Sequence, residues 1–282
     1  MNLDDGLGFF QPTSEIYRIN LLKKAEAYKA TTEVFDLVEK SAAHTLKTSG
    51  AFDITVGPLV TLWRAAGKKG VLPSDAELAR ARECVGAQYL LLNRNAQTIS
   101  FAKAGMSLDL GGVAKGYAVD RAIDVLRRHG IKNAIVSCGG DMYCLGRKPY
   151  DELWTVGIQH PRKKDNIFLE LHLSNKAVTT SGDYERYKII NGKRCSHIID
   201  PRSGYPIGDG VVSATVIAND VTTADIWSTS LCILGEKGLG LAASQDGVDA
   251  LIVVKDGDNF NVKTTEGFEK RYGHIRKEAI KW

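Results

Sequence analysis

Asp225 and Thr229 stand four residues apart in Thr223–Leu234, a segment closed by Gly235 that the pattern predicts to be a helix. That spacing puts a carboxylate and a hydroxyl on one face. Both are hard oxygen donors, the kind Mg²⁺ takes together with waters and substrate phosphates. Taken alone, the pair reads more readily as an acid favouring a helix N-terminus beside a packed hydroxyl. Gly111-Gly112 follow Asp109 at the end of a strand-like Met106–Leu110 and precede a helix, with Lys115 one turn further on. Such a corner lets backbone N–H groups approach a pyrophosphate, although an ordinary tight turn can carry the same glycines. Gly139-Gly140-Asp141 repeats the theme after another strand-like stretch. In His197-Ile198-Ile199-Asp200-Pro201 an imidazole beside a loop carboxylate could act as a general base near neutral pH. A partly exposed strand histidine fits the spacing as well. Ser181-Gly182-Asp183 and Ala51-Phe52-Asp53 are loop-edge groups that either bind a ligand or cap turns.

The elements that must carry these residues follow from periodicity. Val34, Leu37, Val38, Ala42 and Leu46 recur at helical spacing up to a stop at Gly50. A second helix opens at Ser74 with Glu77 three residues on, a capping box, and runs to Gly86. Tyr89–Leu92 and Thr98–Ala102 form a short hairpin, and Val113–His129 is a helix closed by Gly130. Asn133–Ser137, Trp154–Ile158, Phe168–Leu173 and Ala177–Thr180 are strand-like. Asn191-Gly192, between Tyr187–Ile190 and Arg194–Ile198, is the strongest hairpin signal in the chain. Strands cluster with hairpins instead of alternating with helices, so the expected class is α+β, not a doubly wound sheet. No repeat, low-complexity tract or linker interrupts the 282 residues, which reads as one compact module with a mixed or antiparallel sheet and flanking helices.

Bulk composition narrows the function classes. Lysine plus arginine exceed aspartate plus glutamate by 37 − 33 = 4, with no dense basic run, which weakly favours an anionic ligand and gives no support to nucleic-acid wrapping. No stretch approaches the roughly 18 apolar residues of a spanning helix. The start of this chain lacks the basic and apolar regions of a signal peptide. Five cysteines, an odd number without a Cys-x-x-Cys pair, read as free thiols, so composition leaves the compartment open.

In order, the segments Ser14–Asn20, Gly50-Ala51-Phe52-Asp53-Ile54-Thr55-Val56-Gly57-Pro58-Leu59, Asp109-Leu110-Gly111-Gly112-Val113-Ala114-Lys115-Gly116-Tyr117-Ala118-Val119-Asp120, Ser137–Asp141, Thr180–Asp183, His197–Gly204 and Ala224–Thr229 resemble one family. It is the ApbE family, the FAD:protein FMN transferases, and the resemblance covers Ser14 to about Phe268. The resemblance implies that Asp225 and Thr229 are metal-ligand side chains and that Gly112 lends a backbone oxygen to the same Mg²⁺. Ala51, Phe52, Asp53, Asp109, Lys115 and Ile199 match FAD-contacting positions, and His197 matches the histidine implicated in transfer. It further implies a cleft between lobes in which the FAD pyrophosphate lies at the metal. The acceptor would be a flavoprotein subunit with a Ser or Thr in a short Asp-Gly-x-Ser/Thr-Gly-Ala-like motif. An FAD pyrophosphatase releasing FMN and AMP, and a flavin-binding protein without turnover, are the alternatives. Family members usually begin with a strand carrying Met-Gly-Thr and a helix. Only about a dozen residues precede Ser14 here, so a truncated N-terminus is one expectation, with a periplasmic or membrane-anchored lipoprotein as the compartment in that case. Lys115 is basic where some members are acidic, and Ser203 stands where Thr is common.

Overall fold

A computed structural model describes Leu7 and residues 11–163, 166–183, 187–257 and 259–272. Along the chain run α1 (Glu15–Ile19), β1 (Ala27–Lys29), α2 (Thr32–Lys47), α3 (Gly57–Lys69), α4 (Asp75–Glu83), β2 (Leu90–Asn93) and β3 (Thr98–Phe101). Next come α5 (Ala114–Arg128), β4 (Ala134–Cys138), β5 (Asp141–Leu145), β6 (Trp154–Gln159), β7 (Ile167–Leu173), β8 (Lys176–Gly182), β9 (Tyr187–Ile190) and β10 (Lys193–Ser196). The chain closes with β11 (Val211–Ala218), α6 (Val221–Leu234), α7 (Lys237–Ala243), β12 (Asp249–Asp256), β13 (Asn259–Thr264) and α8 (Glu266–Tyr272). The class is α+β, and every ladder between named strands is antiparallel. No described helix is long and apolar enough to cross a membrane.

These elements divide into two compact units. The first comprises the chain to Gly112 together with Tyr187–Pro206. It contains the sheet β1-β3-β2, the hairpin β9-β10 and helices α1 to α4. Its local signals behave as the residues demand. Ser74 and Glu77 close the capping box of α4, and Asn191 and Gly192 turn the β9–β10 hairpin with φ of 49° and 72°. Leu59, Trp63, Leu78, Ile190 and Ile199 form one of its cores. Met106–Leu110 is not a strand in a ladder. The Asn20 side chain takes both backbone groups of Leu108, at 2.9 and 2.7 Å, and the N–H of Asp109 goes to the carbonyl of Ile54 at 2.7 Å. With those groups engaged, the segment makes a single bridge, between Ser107 and Val56.

The second unit comprises Val113–Arg186 and Ile207–Trp282 and is built on a six-stranded sheet ordered β13-β12-β11-β8-β5-β4. All eight residues of β11 are buried, as a central strand covered on both faces requires. Helix α6 packs on β11 and β8, and α5 packs on α6, β5 and β4. The β6–β7 ribbon contributes Val156, Ile158, Phe168, Leu171 and Leu173 to a core shared with Val178, Val212, Leu251, Val253 and Phe268. Helix α6 begins at Val221, earlier than the sequence suggests, because Asp220 caps it by accepting from the Thr223 N–H.

Candidate functional site

The second unit gathers the charged groups at the first turns of two docked helices. Gly116 of α5 approaches α6 so closely that its N–H donates to Asp225 Oδ2 at 3.2 Å. A Cβ at this position would stand 2.6 Å from the Val221 carbonyl oxygen. One turn along α5, the Asp120 carboxylate accepts from the Val221 N–H at 2.8 Å and the Thr222 N–H at 2.9 Å. It also accepts from the Thr222 hydroxyl at 2.5 Å. Asp120 thus satisfies orphan donors at the start of α6 and locks that turn to α5.

The Nζ of Lys115 pairs with Asp141, the first residue of β5. The Asp141 side chain is buried while that of Lys115 is 43% exposed. Thr229 lies one turn beyond Asp225 on α6, and the Ser181 hydroxyl of β8 reaches both Ser228 at 2.8 Å and Thr229 at 3.5 Å.

Burial is the main cause pushing the Asp225 carboxyl up to about 7, and the Asp141 carboxylate adds to it, while Lys115 and the Gly116 N–H oppose the rise. Burial pulls the Lys115 ammonium down, but Asp225 and Asp141 outweigh that, leaving it above its usual value. Two carboxylates therefore share one lysine, and the ionised pair is short of positive charge. A small hard cation at Asp225 would supply that charge, and the Thr229 hydroxyl is a second hard oxygen one turn away. Among the described residues no group of three or more His, Cys, Asp or Glu side chains converges as a metal cluster. Mg²⁺ needs no such cluster, since it binds through one or two carboxylates plus waters and substrate phosphates.

The first unit holds the other predicted residues. After α2 the chain turns through Ser49 and Gly50, with φ of 52° and 77°, into Ala51-Phe52-Asp53. All three are buried, and the Ala51 and Phe52 N–H groups bond to Thr48 within the turn. Asp53 accepts from the Thr55 N–H and hydroxyl and from the Ala87 N–H at 2.8, 2.7 and 3.0 Å. Its carboxyl is nevertheless raised, because burial outweighs those bonds. Asp109 accepts from the Gly111 N–H at 2.8 Å and is likewise raised by burial, against the pull of Gly111 and Arg64. Gly112 is joined through Val113 to the start of α5. His197 is exposed just after β10, and Ile199 beyond it is buried and bridges to Pro206. The carboxylate that sequence places near His197 has another partner: both oxygens of Asp200 accept from the Arg202 guanidinium at 2.9 Å.

Lys115, Asp225 and Thr229 thus share the second unit, whereas Ala51, Phe52, Asp53, Asp109, His197 and Ile199 belong to the first. Three further residues belong with the cluster. Asp141 holds Lys115, Asp120 seats α6, and Ser181 touches the Thr229 hydroxyl. For Asp141 the sequence signal is the glycine pair before it, for Ser181 its place in Ser181-Gly182-Asp183, and for Asp120 only its place at the end of the Asp109–Asp120 run.

An antiparallel α+β scaffold, with hard oxygen donors and one lysine gathered where two helices dock at its sheet, defines the class of protein. The chain belongs to the ApbE family, whose model matches residues 2–252. It is 34% identical over 257 residues to the FAD:protein FMN transferase of Klebsiella pneumoniae (strain 342), covering 90% of this chain and 79% of that one. Among solved structures it is similar to the apo flavinyl transferase ApbE of Pseudomonas stutzeri, with a TM-score of 0.85 and 33% identity over 96% of this chain and 85% of that one. The ApbE protein of Thermotoga maritima gives a TM-score of 0.86 at 33% identity, covering 96% and 88%.

Proposed function

We propose that this chain transfers FMN from FAD to a Ser or Thr hydroxyl of a target flavoprotein, with Mg²⁺ as cofactor. The observation that carries the reading is the buried Asp225 carboxylate, set beside Asp141 and Lys115 with the Thr229 hydroxyl one turn away, in a chain of the ApbE family. Asp225, Thr229 and the Gly112 carbonyl would hold the Mg²⁺, which would neutralise charge that develops on the pyrophosphate.

The protein's own groups do the rest. Lys115, kept charged by the two neighbouring carboxylates, binds a pyrophosphate oxygen and stabilises added negative charge there. Asp141 fixes the lysine's position. Ala51, Phe52, Asp53, Asp109 and Ile199 line the FAD. His197 accepts the proton of the attacking hydroxyl. The hydroxyl oxygen bonds to the phosphorus on the FMN side, the phosphoanhydride bond breaks, and AMP departs with the bridging oxygen. The product is a phosphoester between FMN and the acceptor side chain.

Incubating the protein with FAD, Mg²⁺ and an acceptor peptide containing Asp-Gly-Ala-Thr-Gly-Ala tests the reading. AMP release matched by addition of one FMN to the peptide is the expected result. AMP release with an unmodified peptide would identify an FAD pyrophosphatase, and FAD binding without AMP a flavin-binding protein.

A further inference from the structure

Helix α6 carries three hydroxyls in a row, Ser228, Thr229 and Ser230. Ser230 is buried and donates to the carbonyl four residues back, that of Ile226, at 2.7 Å, a common habit of helical hydroxyls. For Thr229 the equivalent acceptor is the carbonyl of Asp225, and Ser228 donates to that carbonyl at 3.0 Å. The Thr229 hydroxyl turns to the sheet instead. Its one hydrogen-bond contact among the described residues is Ser181 Oγ of β8, at 3.5 Å. Ser181 Oγ also reaches Ser228 Oγ at 2.8 Å. The backbone that presents Ser181 is fixed from two sides: it pairs with Ala214 of β11, and its carbonyl accepts from the Cys232 S–H at 3.5 Å.

Each hydroxyl has one proton to give. Three protons serve three contacts, so a single assignment satisfies them all. The Asp225 carbonyl can only accept, so the Ser228 proton goes there. Ser181 must then donate to Ser228, and with its own proton committed it can only accept from Thr229. The order therefore runs from Thr229 to Ser181, to Ser228, to the Asp225 carbonyl. It turns the Thr229 proton towards β8 and leaves the lone pairs of that oxygen accepting from no described group. An oxygen in this state can donate to a hard cation, whereas a hydroxyl whose proton faced the cation would repel it.

We propose that Ser181 and Ser228 are positioning residues for metal binding: by fixing the direction of the hydroxyl chain they present the lone pairs of Thr229 to the Mg²⁺. This rests on the reading of Thr229 as a ligand. Neither serine has to enter the coordination shell. Ser228 is fully buried and acts only through Ser181 and the Asp225 carbonyl. The chain also ties the two side-chain donors together, because it starts at the hydroxyl of Thr229 and ends on the backbone of Asp225. Breaking it at either serine frees the Thr229 proton to point elsewhere, although no atom within the metal's reach has been removed.

The test is a calorimetric titration of Mg²⁺ into the protein saturated with FAD, without acceptor, with Tm measured alongside. Ser181→Ala and Ser228→Ala should each weaken Mg²⁺ affinity about threefold to fivefold, the long Ser181–Thr229 contact keeping the effect below tenfold. The double variant should lose no more than the larger single loss, because both changes break one chain. Ser230→Ala, which removes a buried hydroxyl from the same helix, should lower Tm by a similar amount and leave Mg²⁺ affinity unchanged. Losses that multiply in the double variant, or an equal loss of affinity in Ser230→Ala, assign the serines to general packing and overturn the proposal. So does unchanged affinity in either serine variant when Thr229→Val weakens binding, an outcome that leaves Thr229 as a ligand. Unchanged affinity in Thr229→Val removes the ligand itself, and the hydroxyl chain falls with that part of the functional reading.

Discussion

Gly116→Ala tests whether the contact between α5 and α6 sets the cluster. In an unencumbered helix the change stabilises by about 1 kcal/mol through backbone entropy. At this position the new Cβ would meet the Val221 carbonyl oxygen at 2.6 Å, its carbon at 2.9 Å and the Asp225 Cβ at 3.0 Å. Two of these are backbone atoms, so relief requires α6 to move away. Overpacking of this kind costs about 1–3 kcal/mol, and backbone contacts belong at the upper end. Subtracting the propensity gain leaves about 2 kcal/mol, a fall in Tm of roughly 4–8 °C for a unit of this size. The same displacement stretches the 3.2 Å bond from the Gly116 N–H to Asp225, which should raise the Mg²⁺ midpoint for FMN transfer about threefold to tenfold. Gly240 of α7 has open space around its Cβ position, so Gly240→Ala should raise Tm slightly and leave the Mg²⁺ titration alone. Scanning calorimetry and a Mg²⁺ titration of flavinylation read both effects. A Gly116→Ala protein as stable as Gly240→Ala, with an unshifted Mg²⁺ midpoint, refutes the packing argument.

Four further outcomes are expected. His197→Ala should slow transfer by about 10²–10⁴ with FAD affinity nearly intact, and a collapse of affinity at unchanged saturating rate would make His197 a binding residue. Thr229→Ser should keep the Mg²⁺ midpoint, whereas Thr229→Val should raise it, because valine keeps the volume and loses the oxygen; a fully active Thr229→Val protein would remove Thr229 from the metal. Asp120→Ala should cost about 2 kcal/mol by leaving N–H groups at the start of α6 uncapped, read as a lowered Tm together with a raised Mg²⁺ midpoint. The metal-free protein should lose stability as pH rises from about 4 to about 7, because the folded-state pKa of Asp225 is raised to about 7 from an ordinary 3.8 and the folded form binds that proton more tightly. The difference between wild type and Asp225→Asn in Tm across that window isolates the effect, added Mg²⁺ should remove it, and a constant difference would contradict the burial of Asp225.

The chemistry-bearing residues were legible in the sequence where their geometry is local. Asp225 and Thr229 share a helix face because they are four apart, and the Asn191-Gly192 hairpin and the Ser74–Glu77 box each need only a few residues to form. What was hidden depends on distant partners. The donors that Asp120 serves lie 101 and 102 residues along the chain, and the one Asp225 accepts from lies 109 away, so no window reveals either bond. β11 escaped notice because a strand buried at all eight positions has no alternation to detect. Helix α3 begins with Gly57 and contains Gly67, two residues that speak against helix, while Pro58 in the first turn is compatible with a start, and packing of Leu59, Trp63 and Ala66 decides the matter. Sequence proximity suggested Asp200 as the partner of His197, and an arginine two residues further on holds both of its oxygens instead.

The run from Asp109 to Asp120 is easily taken as a phosphate-binding glycine corner followed by a helix. Its helical half does something further. Gly116 and Asp120, four residues apart on one face of α5, grip α6 at two places: the carboxylate of Asp225 and the backbone of Val221 and Thr222. Two grips a turn apart fix the rotation of α6 about its axis as well as its distance from α5. That rotation decides where Asp225 and Thr229 face, since both lie on the face that α6 presents one and two turns from its start. Lys115, adjacent to Gly116 but on another face, is left for Asp141. One short segment therefore contributes the cation of the cluster and orients the helix that carries its donors. This explains why a glycine is needed inside the helix at a position where it would otherwise cost stability.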